Sequence, residues 1–129
     1  MALHVELVAA DRTVWSGDAA MVIARTVDGD VGVLPGHAPM LSLLTQAVVE
    51  IQVDGTNDIV VGAVDGGFIS VAGDRVSILS GLIELGEDIH VPQAEADLEE
   101  ARHLLGTNDE AEARVRHAEA RLRAAEKVS

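Results

Sequence analysis

The sequence predicts an α+β chain, with an antiparallel β-sandwich over residues 1–86 and an α-helical hairpin over residues 87–129. Three observations predict it. Short β-branched or alternating runs recur through the first part of the chain, each closed by a turn rich in Gly, Asp or Pro. The gaps between these runs have no room for crossover helices, which argues against a parallel sheet. At Gly86 the apolar spacing changes from every second residue to the period of a helix.

Leu3, Val5, Leu7 and Ala9 alternate with His4, Glu6 and Val8, as in a strand with one buried face. Asp11-Arg12 reads as a turn. Val14-Trp15 begins a short second strand that Ser16-Gly17-Asp18 ends. Met21 to Val27 is apolar and β-branched, and Asp28-Gly29 is a hairpin signal. The stretch from Gly29 to Pro39 holds too much Gly and Pro for a helix or a long strand. Its prolines fix φ and remove two backbone donors, so it is a shaped connection with Val31, Val33 and Leu34 turned toward apolar surface. Composition leaves open whether it is a structural corner or a docking loop. Met40 to Leu44 is short and apolar. Ala47 to Val53 alternates up to Asp54-Gly55, and Ile59 to Val64 pairs back across that turn. Asp65-Gly66-Gly67 leads to Phe68 to Val71, Gly73-Asp74 leads to Arg75 to Leu79, and Leu82 to Leu85 closes the series.

Glu87 and Asp88 suit a helix start, where acids meet the positive end of the dipole. Pro92 is tolerated at a first helical position. Ala94, Leu98, Ala101 and Leu105 then share one face. Gly106-Thr107-Asn108-Asp109 stops this helix and caps the next. The second helix aligns Ala111, Val115, Ala118, Leu122 and Ala125. A seam this rich in Ala contributes only a few kcal/mol at ~25 cal/mol per Å2. Helices of this length are individually marginal in water, so the hairpin reads as a detachable element.

Nearly half of the 129 residues are apolar, enough for a packed core of Val, Ile, Leu and Ala. Trp15 and Phe68 are the only large rings, and there is no cysteine, which excludes disulfides and thiolate metal sites. No run approaches the ~20 apolar residues of a membrane span. With no charged-then-apolar leader after Met1, a place in the cytosol or on the cytosolic face of a membrane fits best. The formal charge of −13 argues against nucleic acid and against anionic membrane surfaces. Residues 1–86 hold eleven acids and three bases, residues 87–110 eight acids and one base, and residues 111–129 three acids and five bases. An acidic partner, if there is one, therefore meets the C-terminal segment.

No catalytic or metal constellation emerges. His37 has no second His, Cys or acid cluster at ligand spacing, and orders its loop instead. Gly66-Gly67 lacks the Lys-Ser or Lys-Thr and the following helix of a phosphate loop, so it is a hairpin turn. No serine has a nucleophile-elbow setting. Arg114, Arg116, Arg121, Arg123 and Lys127 are either solvated charge or a docking ladder on the second helix. No cofactor is implied.

Gly29-Asp30-Val31-Gly32-Val33-Leu34-Pro35-Gly36-His37-Ala38-Pro39-Met40, with Leu41 to Leu44 after it, resembles a Gly-Pro-His segment of the epsilon subunits of F-type ATP synthases. Val64 to Val71 is similar to the Gly-Gly-Phe hairpin of that family. Val76 to Leu79, with Glu84 and Glu87-Asp88-Ile89, resembles the strand and joint before its C-terminal helices. The three segments keep the family's order and spacing across nearly the whole chain. The resemblance implies a non-catalytic rotor subunit of the central stalk, joining the gamma subunit to the membrane c-ring and coupling proton flow to ATP synthesis. It implies a hairpin that switches between folded-down and extended states and inhibits ATP hydrolysis when extended.

By the same resemblance Asp30 faces the polar loop of the ring, with Val31, Leu34, His37 and Met40 as further rotor contacts. Arg114, Arg116, Arg121 and Arg123 would transiently meet an acidic loop of the catalytic beta subunits, within the alpha/beta assembly. The location implied is peripheral, on the cytoplasmic face of the cell membrane in the F1 sector, without membrane insertion. Some members bind ATP through an Ile/Leu-Asp-x-x-Arg-Ala motif. Here His90 replaces the acid and Gln93 the arginine, removing the bidentate phosphate contact, so no nucleotide site is expected. The alternative reading is a free-standing β-sandwich ligand-binding module with a helical oligomerisation tail.

Overall fold

A computed structural model describes residues 2–128. Nine strands come first: β1 Leu3–Val8, β2 Thr13–Thr26, β3 Gly29–Val33, β4 Met40–Leu43, β5 Gln46–Val53, β6 Ile59–Asp65, β7 Phe68–Ala72, β8 Arg75–Leu79 and β9 Ile83–Leu85. A single 3-10 turn, Gly86–Asp88, leads to α1 Val91–His103 and α2 Ala111–Val128. The strands run β4-β7-β8-β1-β2-β5-β6-β9, with β3 also on β2. This sheet folds over on itself as a β-sandwich, and the two helices form a hairpin, as the sequence predicts.

The fold-over is made by β2. Its first half pairs with β1 (Leu7 opposite Trp15) and its second with β5 and β3 (Ile23 opposite Glu50, Arg25 opposite Asp30). A register shift between Ala19 and Met21 marks the change of partner. The expected break at Ser16-Gly17-Asp18 is therefore wrong: these residues lie inside one strand of 14 residues. Gly17 is there for space, since a Cβ on it would come within 2.9 Å of the Trp15 ring. The expectation of a wholly antiparallel sheet also needs correction, because β1 and β8 pair in parallel from His4–Arg75 to Val8–Leu79. Six strands separate them in the chain, so that long path supplies the crossover without a helix. The Gly/Pro stretch is likewise only half a loop. Gly29–Val33 is a strand on β2, and the loop proper begins at Leu34.

Alternation gives the sandwich its core. Leu3, Val5, Leu7, Val22, Val33, Ile51, Ile69 and Ile78 are fully buried in one cluster. A second, smaller cluster lies outside it, where Val61 and Ala63 of β6 meet Ile89, Ala94, Ala120, Ala124 and Ala125. Ala120 and Ala124 lie off the single stripe expected for α2, so this helix is covered on more than one side. It rests on β5 and β6, and α1 rests on α2. At the joint the approach is close: a Cβ on Gly86 would fall 2.5 Å from the Ala124 carbonyl oxygen.

The helix termini differ from expectation at two places. Glu87 and Asp88 open only the 3-10 turn, and α1 begins later, behind an extended His90 and with Pro92 in its first turn. Leu105 lies past the end of α1 and is exposed, because the chain is already turning toward Gly106 at φ 85°. Ahead of α2 the Glu110 N–H donates to Asn108 Oδ1 at 2.8 Å, an Asx turn that leads the chain into the helix, while Glu110 is the residue directly before it.

Candidate functional site

Two surfaces and one seam carry the candidate residues. The first surface is β3 with the loop after it, Asp30 lying at the turn end of the strand and Leu34 to Pro39 beyond its other end. Asp30 ends the β2–β3 hairpin opposite Arg25, whose Nε donates to Asp30 Oδ1 at 2.8 Å. This hydrogen bond, and then the guanidinium's charge, hold the Asp30 carboxyl below its ordinary range and raise Arg25. Both groups are exposed. The folded value of Asp30 lies below the unfolded one, so the pair stabilises above the unfolded value, and the contribution disappears as pH falls through the folded one. In an NMR carboxyl titration Asp30 is expected to titrate below a free aspartate, and Arg25→Ala to move it back up. An unmoved midpoint in Arg25→Ala would rule out the pairing as the cause.

The remaining loop residues divide. Val31 and Met40 pack against the main core, while Leu34 is 55% exposed. His37 Nδ1 lies 2.6 Å from the Ala38 carbonyl oxygen, and its backbone N–H donates to Leu34 O at 3.1 Å. The corner is tied to the β7–β8 turn by Gly36 N–H donating to Asp74 Oδ1 at 2.7 Å. His37 thus takes part in the loop's internal bonding.

The second surface is apolar: a small sheet unit is expected to leave some such surface open to a partner, but the sequence does not give its place. Leu43 of β4, Phe68 of β7 and Leu79 of β8 are direct cross-strand partners, so they share one face of the sheet. Phe68 is 48% exposed and its two neighbours about as much; Leu41, two residues before Leu43, is more exposed still. Ser70, Ser77 and the Val8–Ala10 segment keep this face flat and small around them. The alternation in Met40 to Leu43 and the lone Phe68 were the available signals, but only strand order places them side by side.

The seam lies between sheet and hairpin. Arg121 on α2 reaches Glu84 of β9 at 2.8 Å and Asp97 of α1 at 2.9 Å, and its side chain is only 12% exposed. Gln93 Nε2 donates to the same Asp97 carboxylate at 2.9 Å. The other bases of α2 are more open. Arg116 donates to Gln46 at 3.2 Å, Arg114 lies 3.8 Å from Glu100, Lys127 lies 3.1 Å from Glu50, and Arg123 lines a shallow cleft with Arg25, Asp30 and Glu50. In this conformation Arg121 is thus turned inward, apart from the three exposed arginines it was grouped with. His90 precedes α1 and is exposed. Among the described residues no group of three or more His, Cys, Asp or Glu could hold a metal, and no helix is long and apolar enough to cross a membrane.

Sandwich, joint and hairpin in this order define a subunit of the delta/epsilon type. The family model for the ATP synthase delta/epsilon chain β-sandwich domain matches residues 2–86. The ATP synthase epsilon chain of Streptomyces griseus is 50% identical over 124 residues, covering 95% of this chain and 94% of its own. That of Streptomyces coelicolor is 51% identical over the same shares. Among solved structures, a chain of the Euglena gracilis mitochondrial ATP synthase, an assembly of OSCP, F1 and c-ring, matches with a TM-score of 0.74 at 26% identity, covering 98% of this chain and 79% of that one. The chain belongs to the family of ATP synthase epsilon chains, non-catalytic subunits of that complex.

Proposed function

We propose that this subunit is the central-stalk connector that fixes gamma to the c-ring, so that proton-driven rotation of the ring is transmitted to ATP synthesis. Its sandwich, residues 1–86, is the gripping unit, and residues 87–129 are a separable hairpin; Met1 and Ser129 fall outside the described residues. The place proposed is peripheral, on the cytoplasmic face of the membrane in the F1 sector. The observation that carries the reading is the exposed apolar row Leu43–Phe68–Leu79. A flat apolar face on a chain of charge −13 marks a protein contact, and gamma is the partner proposed for it. Asp30, at the turn end of the β2–β3 hairpin, and Leu34, in the loop beyond the other end of β3 with His37, are proposed to face the polar loop of the ring. The separate Ala-rich cluster under α2 supports a hairpin that can leave the sheet. When it does, Arg114, Arg116, Arg121 and Arg123 become available to the acidic loop of beta, and hydrolysis is impeded.

Purified chain mixed with gamma is expected to elute as a one-to-one complex. Separate elution at micromolar concentrations would remove the reading.

A further inference from the structure

Arg121 stands apart from the other bases of α2, which are exposed. One guanidinium joins three elements: Nε lies 2.8 Å from Glu84 Oε1 on β9, and Nη1 donates to Asp97 Oδ2 on α1 at 2.9 Å. Nη2 donates to Glu84 Oε2 at 3.4 Å, while the Nε–Oε1 approach is a charge contact without hydrogen-bond alignment. Asp97 is held in place from its own helix by Gln93. At 12% exposure the guanidinium is shielded from water and salt in a way that Lys127, at 46%, is not. The apolar contact around it is thin, made mainly of Ala, so a single set of charged hydrogen bonds is a large share of what seats the helices.

We propose that Glu84, Arg121 and Asp97 form an ionic latch that sets how often the hairpin leaves the sheet. The proposal rests on the reading of the hairpin as detachable. The latch has two arms, and movement of α2 by itself, away from both the sheet and α1, breaks both of them. Lifting the hairpin as an intact pair breaks only the Glu84 arm. Splaying the helices apart breaks the Asp97 arm. The two acids therefore report on two different openings of the same element.

The test is native-state hydrogen exchange of the full chain, read at α2 amides such as Ala118 and Leu122, with Val5 and Ile78 as sandwich controls. Glu84→Gln and Asp97→Asn are each expected to speed α2 exchange about tenfold, the loss of one charged hydrogen-bonded contact, with the controls unchanged. Lys127→Gln removes an exposed pair and is expected to change it on the order of twofold. Ala124→Glu, which places a charge in the Ala seam while leaving Glu84, Arg121 and Asp97 in the chain, is expected to free α2 outright. Should Ala124→Glu open the hairpin while Glu84→Gln and Asp97→Asn leave α2 protected, the latch is wrong and the detachable hairpin stands. Equal acceleration in Lys127→Gln would also overturn the latch, since general charge attraction would then suffice. If Ala124→Glu leaves α2 as protected as the strands, both ideas fall together.

Discussion

Replacing Phe68 by Glu is expected to weaken binding to gamma by at least about thirtyfold, the effect of losing a central contact of ~2 kcal/mol or more. Phe68 is half exposed and lies between Leu43 and Leu79 on adjacent strands, so the new carboxylate is solvated in the free chain and leaves the fold intact. In the complex the same carboxylate would have to be buried against an apolar surface without a partner, which is strongly unfavourable. Phe68→Ala keeps the site neutral and is expected to lose less. Titration calorimetry with gamma measures both. Equal affinity for wild type and Phe68→Glu would move the gamma contact elsewhere on the sheet.

Removal of residues 87–129 is expected to raise ATP hydrolysis by the reconstituted complex about fivefold or more, the low end of an allosteric coupling. The physical basis is the division of the apolar residues into two clusters. The sandwich closes its own core through Leu3, Val22, Ile51 and Ile78, and the hairpin adds a layer held by Val61, Ala63 and four buried alanines. Truncation therefore exposes the outer face of β6 without opening the main core, and the shortened chain is expected to remain folded and to bind gamma. An intact complex whose hydrolysis rate does not change on truncation would remove the braking role while leaving the grip.

Local patterns carried much of this architecture. Gly106 and Asn108 announce the link between the helices, and Asp28-Gly29 and Asp54-Gly55 announce hairpins that the structure contains. These signals act over a few residues, as their chemistry does. Where a residue's neighbour is far away in the chain, the pattern misleads. Ser16-Gly17-Asp18 looks like a turn, yet Gly17 is small because Trp15 lies over it within a continuous strand. The parallel pairing of β1 with β8 follows from the whole path of the sheet, not from either strand. Leu43, Phe68 and Leu79 are ordinary apolar residues until strand order aligns them.

The latch was hidden for the same reason. Arg121 looks like one base in a ladder of five, and its partners are 24 and 37 residues away. Charge partition along the chain points to an acidic partner for the basic helix, if there is one. It did not foretell that the nearest acids, Glu84, Asp97 and Glu50, would be the chain's own. For that reason any acidic partner proposed for α2 would have to compete with the chain's own acids for Arg121 and Lys127.

The most direct test of a rigid grip with a movable arm is a distance measured inside the assembled complex. The chain contains no cysteine, so Thr56→Cys on the β5–β6 turn and Glu112→Cys at the start of α2 can be spin-labelled uniquely. Pulsed spin-distance measurement is expected to give the docked separation in the free chain and a second, longer population in the complex without nucleotide. A single unchanged separation in every state would contradict the account.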